Sequence, residues 1–254
     1  MLIIVPSSEG KRAPASAGDP MELDTLSFPE LAPVRRRLAA ALVATSGAPD
    51  GLERLGAGPT LAFEVARNRR LLALPARPAL EVYSGVLHEA LDAVSFGGAA
   101  RDRADRSLVI ASALWGLLRP ADQIPVYRLG VAARLLDTPR LEVCWTPVLP
   151  AVLAAAAGPH GVILDLRAAS HQALGVPAGM GERAVTLRLA PGVAGGNVIL
   201  KRTRGLAARL LLDSGVEPAD PEALAGLLAA HWRVELYAPA RAGGPWTLQV
   251  DPSA

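Results

Sequence analysis

Three groups of residues in this sequence have types and spacing suited to holding an anion or moving a proton. In KRTRGLAARLLLDSG, residues 201–215, Lys201, Arg202, Arg204 and Arg209 crowd into a run that leaves an expected strand and enters an expected helix. A helix start favours negative charge, so cations placed there cost about 0.3 to 1 kcal/mol each unless an anion is bound. A solvated cluster balanced by acids elsewhere in the fold is the competing reading. In ASALWGLLRPADQIPVYRLG, residues 111–130, Gly116 offers a turn where backbone N–H groups can approach a phosphate. Arg119 and Arg128 add bidentate hydrogen bonds, and Trp115 and Tyr127 add faces on which a base could stack. The plainer alternative makes Trp115 a core residue and lets Gly116 and Pro120 simply turn the chain. The third group is Ser7, Ser8 and Lys11, in a polar loop after the first apolar run. A lysine desolvated beside arginines has a lowered pKa and can act as nucleophile or base.

These groups depend on the elements around them. LIIV, ended by Pro6, reads as a buried strand, and SSEGKRAPASAGDP after it reads as a loop. A helix is expected from near Phe28 to Gly47, a second over 59–74 and a third over 84–94. SLVIASALWG, residues 107–116, and GVILDL, 161–166, have the continuous apolar character of buried strands. VTLRLA and GNVILK flank glycine-rich PGVAGG and suggest a β-hairpin, and WRVELY with WTLQV suggests another. Between the hairpins, TRGLAARLLLDSG reads as a helix closed by Gly215, with Leu206, Leu210, Ala207 and Leu211 on its buried side. No repeat and no long linker interrupts the chain, so residues 1–254 are expected to form one mixed α+β domain, central strands flanked by helices.

Composition narrows the function classes. With 51% hydrophobic and 20% charged residues over 254 positions, the chain can close a substantial core and is not a disordered or collagen-like sequence. Its longest apolar stretches fall short of the roughly 18 residues of a membrane span, and the start lacks the layout of a secretory signal, so a cytoplasmic protein with no membrane partner is expected. Cys144 stands alone, and His88, His160, His171 and His231 show no ligand spacing, which argues against a metal; nothing marks a cofactor. The net charge of +2 conceals segregation: residues 1–30 sum to −3, 101–140 to +3 and 181–213 to +4. Two basic segments brought together would make a local positive surface.

Three stretches, taken in order, resemble the YaaA peroxide-stress proteins. EVYSGVL (81–87), LWGLLRPAD and IPVYRLG (114–130) and KRTRGLAAR (201–209) match family stretches that read roughly DVYTGL, LYGVLRPLD..QPYRLEMG and KKARGLMSR, and PSSEGK follows the opening strand as a variant of the family's loop. The resemblance runs from residue 1 to about 215. It implies a cytosolic protein of a mixed α/β fold with a helix-hairpin-helix element and a positive cleft that binds DNA, associated with limiting oxidative damage. Gly116 and Arg119 would then lie in or after the hairpin, followed by Tyr127 and Arg128. Lys201, Arg202, Arg204 and Arg209 would form the basic helix start, and Lys11 with Ser7 and Ser8 a loop facing the same cleft. Two departures stand out. ASALWG replaces LSGLYG, so Ala113 takes the place of a glycine, and LDLRAASHQ keeps Asp165 and Ser170 but not the acid and tyrosine of INLASDEY.

Three functions follow as expectations. The first is non-sequence-specific binding of double-stranded or distorted DNA, with arginines neutralising phosphates. The second is an enzyme acting on a nucleotide, a nucleobase or another small anionic ligand in a pocket lined by Lys11, Arg119, Arg128 and Lys201; no P-loop, dinucleotide fingerprint or GxSxG names its reaction. The third is a stress-associated interaction protein whose arginines are ordinary surface charge.

Overall fold

The apolar runs of the sequence become the middle of a sheet. In a computed structural model that describes residues 1–177 and 179–253, nine strands form: β1 (Leu2–Pro6), β2 (Ala76–Pro78), β3 (Leu108–Ser112), β4 (Gly116–Leu118), β5 (Gln123–Pro125), β6 (Ile163–Asp165), β7 (Ala184–Leu189), β8 (Arg233–Tyr237) and β9 (Trp246–Asp251). Seven of them make one sheet in the order β4-β3-β1-β6-β7-β9-β8, while β2 and β5 pair separately. The five strands β3, β1, β6, β7 and β9 are mutually parallel, and β4 and β8 close the two edges antiparallel. LIIV and LVIAS are buried on both faces, as parallel strands covered by helices must be.

The helices follow as α1 (Ala32–Gly47), α2 (Gly51–Arg54), α3 (Ala62–Asn68), α4 (Ala79–Val82), α5 (Val86–Leu91), α6 (Gly98–Ser107), α7 (Leu141–Trp145), α8 (Leu149–Ala157), α9 (Ala169–Gln172), α10 (Gly196–Ser214) and α11 (Pro221–Ala229). The expected helix ending at Gly47 forms as α1. The expected helix over 59–74 is built of a 3-10 turn, α3 and a second 3-10 turn, and that over 84–94 stops at Leu91 because Asp92 is left-handed at φ 45°. Helix α10 packs closely on α5: a Cβ on Gly205 would stand 2.2 Å from the Leu87 carbonyl oxygen, so only glycine permits this approach. No helix among the described residues is long and apolar enough to cross a membrane.

Three local expectations are corrected. GNVILK is helical, not a strand: Gly195 turns left-handed at φ 91° and α10 begins at Gly196, so the first expected hairpin does not exist. The second does, as β8 paired with β9, and β9 also pairs with β7. SLVIASALWG is not one strand, since Ala113–Trp115 turn and Gly116 opens β4 against β3. The stretch assigned to a helix-hairpin-helix is therefore a β-hairpin followed by an extended segment.

Candidate functional site

Because β3, β1 and β6 run parallel, their C-terminal ends share one edge, and β1 has β3 on one side and β6 on the other. Chain connections diverge at such a point and leave a crevice outside the strand ends, the usual place for a ligand in an open parallel sheet. Three segments converge there: Ser7–Lys11 after β1, Ser112 at the end of β3 with Ala113 after it, and Arg167–His171 after β6.

The Ser7–Lys11 segment is stapled in place. Arg12 N–H donates to the Val82 carbonyl (2.9 Å), and Ser84 N–H donates to the Gly10 carbonyl (3.2 Å) and to Ser8 Oγ (3.1 Å). These bonds turn the half-buried Lys11 side chain inward. Its Nζ donates to the carbonyls of Ser8 (2.9 Å) and Glu9 (3.2 Å) and stands 4.2 Å from the centre of the Tyr127 ring and 5.5 Å from that of Tyr83. Lys11 has no salt bridge among the described residues, for Glu9 pairs with Arg128 instead (2.8 Å). Burial and, next, the Arg128 guanidinium pull the Lys11 pKa down to about 7, against smaller opposing effects of Glu9 and Glu64.

Beneath the amine runs a line of buried hydroxyls. Ser112 Oγ accepts the N–H groups of Leu114 (3.2 Å) and Trp115 (3.1 Å), which leaves its own proton for Tyr127 Oη at 2.8 Å; Tyr127 and Tyr83 share a further hydrogen bond of 2.9 Å. Burial pushes both phenols up, Tyr127 to about 12, so they remain protonated. His88 Nε2 donates to the Pro6 carbonyl (3.0 Å), and burial lowers its pKa to about 4, keeping it neutral.

Across the Ser7–Glu9 segment lies a cavity of about 210 Å³ lined by Ser7, Ser8, Glu9, Leu129, Ser170 and His171, among others. His171 Nε2 is 3.5 Å from Ser7 Oγ, and burial followed by Arg167 lowers its pKa to about 4. A buried bidentate pair, Arg167 to Asp165 at 2.8 Å through each oxygen, shapes this wall, and Arg167 also donates to the Gly175 carbonyl (2.9 Å).

Of the residues singled out by sequence, the structure brings Lys11, Tyr127 and Arg128 together. Arg204 lies by the ends of β6 and β7, donating to the Leu187 carbonyl (3.2 Å) and sensing the charges of Asp165 and Arg188. Lys201 and Arg202 are exposed, and all four basic residues of 201–209 sit inside α10 instead of at its start, so the helix-start argument for an anion fails. Arg209 is held by Asp213, the Asp92 carbonyl (2.9 Å) and the Phe96 ring. Arg119 stands at the opposite end of β3 from Ser112, donating to the Arg106 carbonyl (2.8 Å), and does not share the crevice. Trp115 is fully buried, edge-on to Tyr127, so it presents no face to a base; Tyr127 gives its face to Lys11. Gly116 is buried at φ 73°, and a Cβ there would meet the Trp145 ring at 2.7 Å, so its role is packing. Sequence reasoning passed over Tyr83, Ser112 and His171 as site residues. Only their positions inside the quoted stretches EVYSGVL, ASALWG and LDLRAASHQ could have signalled them.

A family model described as peroxide stress protein YaaA matches residues 1–236. The chain is 39% identical over 256 residues to a UPF0246 protein of Streptomyces coelicolor, covering 98% of both chains. It is 40% identical over 193 residues to a UPF0246 protein of Corynebacterium efficiens, covering 74% of both. A UPF0246 protein of Salinispora tropica is 32% identical over 236 residues, 87% of this chain and 84% of the relative. With that match spanning the crevice, α10 and every strand of the sheet up to β7, this chain belongs to the YaaA peroxide-stress protein family.

Proposed function

We propose that the protein serves in peroxide stress by binding DNA without sequence preference, through cations beside the C-terminal edge of the sheet. The observation that supports this is where six basic groups stand: Lys11 and Arg12 follow β1, Arg188 is near the end of β7, and Lys201 and Arg202 precede on α10 the Arg204 that donates to the Leu187 carbonyl, none of the six forming a salt bridge among the described residues. Unpaired cations attract phosphates and release counterions on binding. With about three to five phosphate contacts, log affinity against log salt should fall with a slope of roughly −3 to −5. Replacing Lys201 and Arg202 with Ala should weaken binding to unrelated duplexes alike and reduce the slope by about two, while Arg119→Ala, at the far end of β3, should not. Binding that ignores salt, or that the double variant retains in full, would sink this reading and favour ordinary surface charge.

A second reading is favoured by Lys11 itself. A half-buried amine that forms no salt bridge among the described residues, held to the Ser8 and Glu9 carbonyls of the segment that walls a cavity of about 210 Å³ at a topological switch point, fits an enzyme acting on a nucleotide, a nucleobase or another small anion. Titrating an isotope-labelled sample with adenosine monophosphate tests it. Saturable shifts at Ser8, Lys11 and His171 are expected, and their absence rejects it.

A further inference from the structure

Of the 26 basic residues only Lys11 and Lys201 are lysines; the other 24 are arginines. Arginine serves wherever a fixed positive charge is wanted, since a guanidinium does not give up its proton, whereas an amine does when desolvated. One of the two lysines lies on the exposed face of α10. The other is half-buried on two tyrosine rings against the Ser8–Glu9 segment that walls the crevice cavity, with Arg128 and Glu9 already engaged with each other. Two carbonyl oxygens, of Ser8 and Glu9, receive its hydrogens. A neutral amine has two N–H groups, so this acceptor set suits it and leaves the lone pair free.

We propose that Lys11 forms an imine with the aldehyde of an open-chain sugar that carries a phosphate. This deepens the second reading and rests on it, because it requires an anionic substrate in the crevice. The Nζ lone pair forms a bond to the carbonyl carbon as the carbonyl π pair moves onto oxygen. A proton passes from nitrogen to that oxygen, giving a carbinolamine. Its hydroxyl then departs as water with a proton from solvent, leaving a protonated C=N bond. No oxidant or reductant is consumed. The phosphate of the substrate would meet Arg12, which forms no salt bridge among the described residues, and the neutral His88 and the protonated Tyr83 and Tyr127 add no competing negative charge. Glu9 and Glu64 are the acids that face the amine, and their effect on it is smaller than that of burial. Such an aldehyde has two sources, a free sugar phosphate and the opened sugar of an abasic site in DNA.

The test uses the whole chain at pH 7. It is incubated with 2-deoxyribose 5-phosphate in one arm and an oligonucleotide bearing one abasic site in the other, each with cyanoborohydride to reduce any imine to a stable amine. Peptide mass mapping then compares Lys11 with Lys201 and the Met1 amine. An amine with a pKa near 7 is about half neutral at pH 7 and an ordinary lysine below roughly 0.1% neutral, so an excess of Lys11 adduct over Lys201 adduct of at least about tenfold is expected in one arm or both. The arm that reacts identifies the source. Adducts spread evenly over the amines, or none on Lys11, overturn the proposal, and this within-chain comparison needs no variant. Lys11→Arg, which keeps the charge, should abolish the adduct. If adenosine monophosphate shifts the Lys11 signals but no adduct forms, imine chemistry fails and the anion-binding reading stands; if neither occurs, both fail.

Discussion

Lys11 is expensive where it sits. Its amine is drawn off water onto aromatic faces and left without a carboxylate, an arrangement that weakens the folded state whenever the amine is charged. The unfolded chain holds this proton up to about pH 10.5 and the folded chain releases it near 7. Between these values the unfolded state binds more protons, so stability should rise with pH across that window. Urea midpoints measured from pH 7 upward should climb in the wild type, and Lys11→Met should remove that part of the climb. Arg35 makes the opposite bargain. Fully buried, it donates to the carbonyls of Trp115 (2.9 Å) and Leu117 (2.6 Å) and so caps the turn that leads into β4. Arg35→Ala would leave both acceptors dry, with an expected loss of about 3 kcal/mol by chemical denaturation. The desolvated lysine beside an arginine was legible beforehand, but its aromatic partners at positions 83 and 127, remote in sequence, were not, and nothing set Arg35 apart in its run of three arginines.

At the scale of elements, two glycines show how the same residue type misleads and informs. Gly116 looked like a phosphate-binding turn, yet its positive φ and its contact with Trp145 make it a packing residue. Gly116→Ala should destabilise the protein by about 1 to 3 kcal/mol through overpacking and a strained backbone, while DNA affinity per folded molecule stays unchanged in a salt-matched titration. Gly195 ends the loop after β7 and lets α10 start five residues before Lys201, which moved the basic cluster from a helix end to its interior. VILK carried no signal against this. Three apolar residues with β-branched members before a lysine suit a strand and a helix alike, and only their continuity with the following LAARLLL decides. By contrast, LIIV, SLVIAS, GVILDL and the WRVELY–WTLQV hairpin were legible because continuous burial or strict alternation leaves few other homes for them.

At the scale of the molecule, the mixed architecture and the family follow from the order of motifs, whereas the crevice is a product of strand order, which no local pattern encodes. Its acid limit follows from two histidines near the β1 end. His88 and His171 titrate ordinarily at 6.5 and here near 4, so over this range the unfolded chain binds more protons. Stability should be fully present above about pH 6.5 and drain away as pH falls toward 4, a decline that thermal melts in matched buffers would follow. His88→Gln keeps an N–H for the Pro6 carbonyl and should flatten part of it.

The central place of β1 carries a consequence for synthesis. Ile3 pairs with Leu108, and Leu2 with Ile163, so both flanking strands leave the ribosome well after β1 does. At about 5 to 20 residues per second, a gap of about a hundred residues keeps LIIV waiting for roughly 5 to 20 seconds before β3 arrives. During that interval a greasy, unzipped ribbon must be shielded by the helices already made or by a chaperone, so the most protected segment of the finished protein is its most vulnerable one at birth.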